Sequence, residues 1–264
     1  MKRLTNPALM IFFTLLFIFP ILTLSAVDEQ GDPSLKGKKV LFVWGGWPGH
    51  EPEQCRDLFV PWMESEGAQV FVSDSLGIYT DSEFMASLDL IVQIWTMGKI
   101  EKEQEKGLLN AVKSGVGIAG WHGGLGDAFR NNTEYQFMVG GQWVAHPGGV
   151  IDYRVDLTKS KDAVTKGLKP FDMHSEQYYM HVDPNVKVLA TTTFKGDHAS
   201  WIDGSVVPVA WKKMYGSGRV FYSSLGHVAS DFNVPEALEI MKRGIRWASE
   251  SKYEAEEKWL SPVY

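Results

Sequence analysis

The sequence has little cysteine: Cys55 is the only one in 264 residues, so no intrachain disulfide can form. A chain of this length can bury roughly three-quarters of the surface that its unfolded form exposes, so its core suffices without a cross-link or structural metal. Basic character is scarce too. Lys and Arg number 26 against 32 Asp and Glu, a formal net charge of −6. No basic stripe interleaved with aromatics runs along the chain, which argues against nucleic acid as a partner. Internal repeats and low-complexity tracts are absent, and so is any closely spaced H-x-x-x-H pair that would announce a metal site on one helix.

Long apolar runs are confined to the start. Lys2 and Arg3 precede the run from Ala8 to Leu24, which gives way to Ser25-Ala26 and the polar stretch "VDEQGDPS". A positive start, an apolar middle and a small-residue end describe a secretory signal over residues 1–26. The alternative is an uncleaved N-terminal membrane anchor, because the run approaches the length that spans a bilayer. Pro20 and the Ser-Ala ending favour cleavage, and with no cysteine directly following the run a lipoprotein anchor is not expected. The expected location is periplasmic or secreted, with no stable membrane association once the signal is removed. Residues 27–37 then form a linker, 38–250 the domain and 251–264 a C-terminal tail.

What the chain has in plenty is aromatic surface, with 10 Trp among its residues; most belong to a core, though such a surplus also suits a sugar-binding cleft. The domain alternates apolar runs with helical patterns. "KKVLFVW" (38–44), "AQVFVSD" (68–74), "DLIVQIW" (89–95) and "VGIAGW" (116–121) read as buried strands. Between them, a helix is expected over 52–66 with Pro61 kinking or breaking it. A short helix through Leu88 is expected to be capped by Thr80 and Glu83, and a third helix over 101–115. Strands follow at 150–157, 175–180, 187–193, 206–211 and 218–226, then a last helix from Pro235 to Glu250 with Leu238, Met241, Ile245 and Ala248 on its inner stripe. Repeated βα units with continuous apolar strands predict an α/β domain: a mostly parallel, mixed sheet with helices on both faces.

The stretch "GVGIAGWHGGLG" (115–126) ends a strand abruptly at His122, with Gly120, Gly123 and Gly124 around it. Ligands of such sheets bind beyond the carboxyl ends of the strands, and a glycine-flanked corner there is the setting of a nucleophile elbow. Histidine is a poor acyl-transfer nucleophile but a good proton shuttle or metal ligand near neutral pH. A glycine-rich corner that merely turns the chain is the alternative.

These pieces together resemble the ThuA-like (trehalose-utilisation) family. They are "VWGGWPGHEP" with His50, the elbow "GWHGG", "GGQWVAHP" with His146, "SEQYY" with Glu176, and "PVAW" and "GRVFYSSLGH" with His227. The resemblance implies a flavodoxin-like fold, similar to class I glutamine amidotransferases but without their elbow cysteine, so glutamine hydrolysis is not expected. Through that fold His50, His122 and His227 should gather at strand ends with Glu176. They would form either a zinc or other divalent-metal site with an open position or a metal-free acid/base cluster. No nucleotide cofactor is expected.

His146, Trp121 and Trp143 are candidates for substrate binding, with His146 alternatively ending a helix and the tryptophans alternatively core. His174, His181 and His198 read as surface or structural residues, Asp127 and Arg130 as capping or substrate-contacting. Of Tyr178 and Tyr179 at most one can face the site. The resemblance implies a small-molecule sugar substrate, specifically a 3-keto glycoside processed by elimination, isomerisation or hydrolysis. The rival is a non-catalytic carbohydrate-binding protein using the same cleft. The residues set no oligomeric state.

Overall fold

Five parallel strands form the half of the sheet that carries the histidines. The computed structural model describes residues 33–159 and 161–259; the expected signal segment, the first part of the linker and the end of the tail lie outside the described residues. Strand β1 (Lys39–Gly46) leads through helix α1 (Pro52–Ser65) to β2 (Gln69–Ser73), and α2 (Ser82–Ser87) precedes β3 (Leu90–Thr96). Helix α3 (Lys102–Lys113) leads to β4 (Gly117–Trp121), followed by the short α4 (His122–Gly126) and α5 (Thr133–Val139). The remaining strands are β5 (Gly141–Ala145), β6 (Val150–Leu157), β7 (Phe171–Glu176), β8 (Tyr179–Val182), β9 (Lys187–Thr193), β10 (Val206–Tyr215) and β11 (Gly218–Ser223), before helix α6 (Pro235–Ser249).

The main sheet has the order β2-β1-β3-β4-β11-β10-β9-β6-β7, and β5 pairs with β8 in a separate ribbon. Strands β2 to β11 in that order run parallel, whereas β10, β9, β6 and β7 extend the sheet antiparallel. The parallel half therefore has the flavodoxin-like arrangement, with its topological switch point between β1 and β3.

Alternation along the parallel strands divides the core in two. Val40 and Phe42 of β1 and Ala119 of β4 face the side covered by α1 and α6, while Leu41, Val43 and Ile118 face the side of α2, α3 and α5. Both faces are buried, which is why these strands read as unbroken apolar runs. On α6 the inner face is wider than the stripe expected: Ala237, Ile240 and Gly244 are buried with Met241, Ile245 and Ala248, and Leu238 sits at the margin. Each fully buried Ile or Met there contributes roughly 1.5–3 kcal/mol. Among the described residues no helix is long and apolar enough to cross a membrane.

Several local expectations are corrected. Pro61 does not break α1. It lies on the exposed side near the helix end, as does Asp57 one turn before it, so water can meet the freed carbonyl while Phe59 and Met63 hold the helix to the core. The cap of α2 is Asp81, whose Oδ1 accepts from Phe84 N at 3.0 Å, not Thr80, whose hydroxyl donates to the Gly77 carbonyl. The strand expected over 175–180 is two strands, β7 and β8, divided at Gln177-Tyr178. β5 was not anticipated, and His146 follows this strand rather than a helix.

Candidate active site

The chain reaches His122 with its backbone in the left-handed region, at φ 46°, a conformation costly for a side chain with a Cβ. Trp121 is still extended and His122 starts α4, so the imidazole is thrown out of the sheet at its carboxyl edge. Glycine is needed beside it. A Cβ on Gly123 would lie 2.6 Å from His50 Cε1, and one on Gly124 would lie 2.6 Å from the backbone of Ile94. Behind the corner, Gln93 donates to the Gly124 carbonyl and to Tyr135 Oη, Tyr79 donates to Gln93, and Tyr222 Oη donates to the His122 carbonyl. This buried polar set fixes the turn from the inside.

Four side chains converge beyond the corner. His50 ends a short 3₁₀ turn after β1, Glu176 is the last residue of β7, and His227 lies in the loop after β11. One ligating atom from each of His50, His122, Glu176 and His227 falls within 4.8 Å of the others. The three imidazole centroids form a triangle with sides of 4.7, 5.1 and 5.3 Å. Glu176 Oε2 is 3.1 Å from His122 Nε2, 3.3 Å from His227 Nδ1 and 4.0 Å from His50 Nε2. Its other oxygen, Oε1, is 3.7 Å from His146 Nδ1.

Two carboxylates that sequence reasoning missed bring these segments together, since β7 and β11 are far apart in the sheet order. Asp231 Oδ2 accepts from Ser175 Oγ at 2.5 Å and from the backbone of His227 at 2.9 Å, tying the end of β7 to the His227 loop. Glu51 Oε2 accepts from Ala229 N at 3.0 Å, tying the His50 turn to the same loop. Thr96, at the end of β3, is likewise missed; its Oγ1 lies 2.9 Å from His50 Nδ1 and orients that ring.

The hydrogen bonds set the protonation. His122 Nδ1 lies 2.8 Å from the Ser224 carbonyl, which can only accept, so Nδ1 carries a proton. Burial pushes the His122 pKa below its ordinary 6.5 against the pull of Glu176. Burial and the neighbouring imidazoles lower His50 to about 3. At His227 burial acts downward, but Glu176, Asp231 and Glu51 outweigh it and the pKa rises. Burial alone would raise Glu176; His122 and His227 reverse this and hold the carboxyl ionised. His122 Nε2 thus lies 3.1 Å from a Glu176 carboxylate oxygen while Nδ1 is committed to the Ser224 carbonyl. That juxtaposition is repulsive unless a proton or a cation lies between them. The buried Nδ1 atoms of His227 and His146 also lack a hydrogen-bond partner, and imidazoles with one nitrogen fixed by an oxygen partner are what a metal requires. The residues therefore fit a divalent cation held by His50, His122, His227 and Glu176.

The remaining candidates divide. Tyr178 stacks on His122 with centroids 3.8 Å apart, while Tyr179 turns away to Phe194. His146 and Trp143 border the centre, but Arg130, paired with Asp127, covers the Trp143 ring at 4.4 Å. Trp121 is corrected from sugar platform to core residue: it is 2% exposed, set between Phe59 and Phe232, because its side chain points inward from β4. The accessible tryptophan beside the centre is Trp47, which was missed. It is 43% exposed and its ring meets the His50 imidazole edge-on at 4.8 Å. Its position in a loop just past the carboxyl end of β1 was the available signal. His174, His181 and His198 are exposed, outside the cluster. Cys55 is buried in α1 with its thiol pushed up to about 12, so it offers no nucleophile.

Comparison with known proteins agrees with this architecture. A ThuA-like protein from Bacteroides uniformis superposes with a TM-score of 0.68 at 17% identity, over 81% of this chain and 92% of that one. One from Parabacteroides merdae gives 0.62 at 17% identity, over 81% and 90%. A cytoplasmic protein from Salmonella typhimurium gives 0.56 at 14%, over 81% and 98%. At these identities the likeness shows the fold. No curated protein matches the sequence. The family profile described as ThuA, trehalose utilisation, matches residues 39–248, the span that carries every residue of the cluster, and the chain belongs to that family.

Proposed function

We propose that this protein is a carbohydrate-processing enzyme that acts on glycosides oxidised at C3, with a divalent metal, zinc first, held by His50, His122, His227 and Glu176. The observation that carries the metal is the convergence of one ligating atom from each of His50, His122, Glu176 and His227 within 4.8 Å of the others; the family's link to trehalose utilisation supports the sugar. A ketone at C3 acidifies the C2 proton, whose removal gives an enediolate. That species can expel the substituent on C1, add water after expulsion, or reprotonate as an isomer. When bound, the metal supplies Lewis-acid polarisation of the carbonyl oxygen.

The chain's own groups divide the rest of the work. His146 has a buried Nδ1 beside Glu176 Oε1, while its side chain is 37% exposed. Nε2 is then the nitrogen that meets substrate and takes the C2 proton, with Glu176 Oε1 steadying the ring. Glu176 serves both sides of the site, Oε2 toward the three histidines and Oε1 toward His146. Trp47 offers an exposed aromatic face at the mouth for the apolar face of a sugar ring. Tyr178 packs flat on His122 and keeps water from that side.

Elemental analysis of untagged protein should find close to one equivalent of divalent metal. Less than about a tenth of an equivalent after supplementation would leave a metal-free acid/base centre in which His122 and Glu176 share a proton. The pH dependence has a definite sign. Without metal, His227 binds a proton more tightly than an ordinary histidine, and the metal must displace it. Apparent affinity should climb about tenfold per pH unit below that pKa and flatten above it; a pH-independent affinity would remove His227 from the ligand set. We also place the protein outside the cytoplasm, on the strength of the signal-like residues 1–26. Intact mass of the soluble protein should show a chain starting near Val27, and a full-length chain found only in membranes would contradict this.

A further inference from the structure

The connection between β6 and β7 is basic in an acidic protein. The chain has a formal net charge of −6, yet between Leu157 and Pro170 it sets Lys159, Lys161, Lys166 and Lys169 against one acid, Asp162. All four lysines are exposed, and none forms an ion pair among the described residues. Asp162 does not offset them. It is buried; its Oδ1 accepts from Lys212 Nζ at 2.8 Å and from Val164 N at 2.9 Å, and its Oδ2 takes Lys187 Nζ at 2.7 Å. One carboxylate shared by two ammonium groups has no spare charge with which to repel an anion.

This connection borders a cavity of about 550 Å³, lined by Lys161, Asp162, Thr165, Lys166 and Gly167 with their neighbours, none of which belongs to the histidine centre. Small-molecule sites fall in this range of size, roughly 300–1,000 Å³. Two donors in its wall are unused. Thr165 is 7% exposed, and its hydroxyl has no hydrogen-bond partner among the described residues. A hydroxyl so buried calls for a ligand or a water. The second donor is the Gly167 amide. Arg243 of α6 draws the carbonyls of Ala163, Val164 and Lys166 to its Nη1, the last at 2.6 Å. In a planar trans peptide C=O and N–H point opposite ways, so the Gly167 N–H is turned away from Arg243. It has no acceptor among the described residues, φ there is +78°, and a Cβ would meet nothing within 4 Å.

Two ammonium groups, a hydroxyl and an amide are all donors, and the matching ligand is an oxyanion with several acceptor oxygens. A neutral ligand leaves the ammonium charges unmatched, and a carboxylate has only two oxygens for four donors; a phosphate group satisfies both requirements. We propose that this cavity is a phosphate-binding site, in which Lys161 and Lys166 supply the charge and Thr165 Oγ1 and the Gly167 N–H supply further hydrogen bonds. A soluble phosphate and a phospholipid headgroup present the same group, and the test separates them. The proposal does not rest on the reaction assigned to the centre.

The metal-loaded protein is titrated calorimetrically with inorganic phosphate at low ionic strength, with chloride as the control anion. The wild type should bind phosphate with a Kd of about 1 mM or tighter. Lys161→Gln combined with Lys166→Gln should weaken binding about tenfold or more, the worth of a charge-assisted hydrogen bond, and leave metal content unchanged. Lys159→Gln combined with Lys169→Gln removes the same charge outside the lining and should cost less than about twofold, since exposed charges at a distance are screened. Thr165→Val keeps the shape and should cost several-fold. Equal losses in the two double variants would reduce the site to diffuse attraction and overturn it. Phosphate binding undiminished by Lys161→Gln with Lys166→Gln overturns it too, by placing the anion elsewhere, such as at the metal. Vesicles of phosphatidylglycerol, with phosphatidylcholine as control, form the second arm. Cosedimentation abolished by the same double variant identifies a lipid headgroup as the source; phosphate binding lost in that variant, with no cosedimentation in the wild type, identifies a soluble phosphate. A wild-type protein that binds neither probe overturns the proposal.

Discussion

Replacing His122 by alanine is expected to lower turnover of a 3-keto glycoside by roughly 10²- to 10⁴-fold, the usual worth of a positioned acid/base or ligand group. The fold should survive. Alanine keeps a Cβ at φ 46°, so the strain at the corner persists and is not relieved by the smaller side chain. The Ser224 carbonyl loses its donor, at a cost of about 1–3 kcal/mol. His122→Gly separates strain from function: glycine adopts this φ freely and should be more stable than the alanine variant by about 1 kcal/mol, yet equally inactive. Glu176→Gln keeps the shape but loses the charge and should cost a similar factor. Combined with His122→Ala it should be little worse than either alone, because groups acting as one unit are not additive. A His122→Ala protein that melts lower while its folded fraction keeps full turnover would make this histidine a structural plug.

Gly123→Ala should damage the centre without replacing any of its functional groups. Gly123 has no positive φ, so the backbone accepts alanine; the obstacle is the space its methyl would take. That methyl would lie 2.6 and 2.8 Å from Cε1 and Nδ1 of His50 and 2.8 Å from Thr96 Cγ2. His50 cannot simply retreat, since Trp47 and His122 flank its ring at 4.8 and 4.7 Å. We expect metal affinity, read by competition with a chelator, to fall about 10- to 100-fold, as for lost outer-shell support. Stability should fall by the roughly 1–3 kcal/mol typical of overpacking. Gly124→Ala is the contrast: its methyl meets the Ile94 backbone, so it should destabilise the fold more and perturb His50 less. Unchanged metal affinity in Gly123→Ala would place His50 outside the ligand set.

The parallel half of the sheet was legible because its strands are buried on both faces, which writes itself as short continuous apolar runs such as "LIVQIW". The corner was legible because local sterics admit little besides glycine around His122. Less local features were hidden. The meeting of Glu176 with His227 depends on Asp231 bridging β7 to a loop more than fifty residues away in sequence, and no periodicity records such a bridge. The break at Gln177-Tyr178 fell within a stretch that reads as one strand. Trp121 and Trp47 are both tryptophans near a histidine and a glycine. What separates them is that Trp121 still belongs to a strand and points into the core, while Trp47 has left one. The same distinction explains His146, whose place depends on the pairing of β5 with β8.

Proton exchange at C2 of the sugar tests the central claim most directly. A 3-keto glycoside is incubated with the metal-loaded protein in D₂O and followed by proton NMR. The account predicts that the C2–H signal disappears far faster than in buffer alone, either with deuterium retained at C2 or with release of the C1 substituent. It also predicts that exchange drops by at least two orders of magnitude in His146→Ala and in Glu176→Gln. A C2–H signal that decays no faster than in buffer, with the glycoside bound and intact, would contradict it.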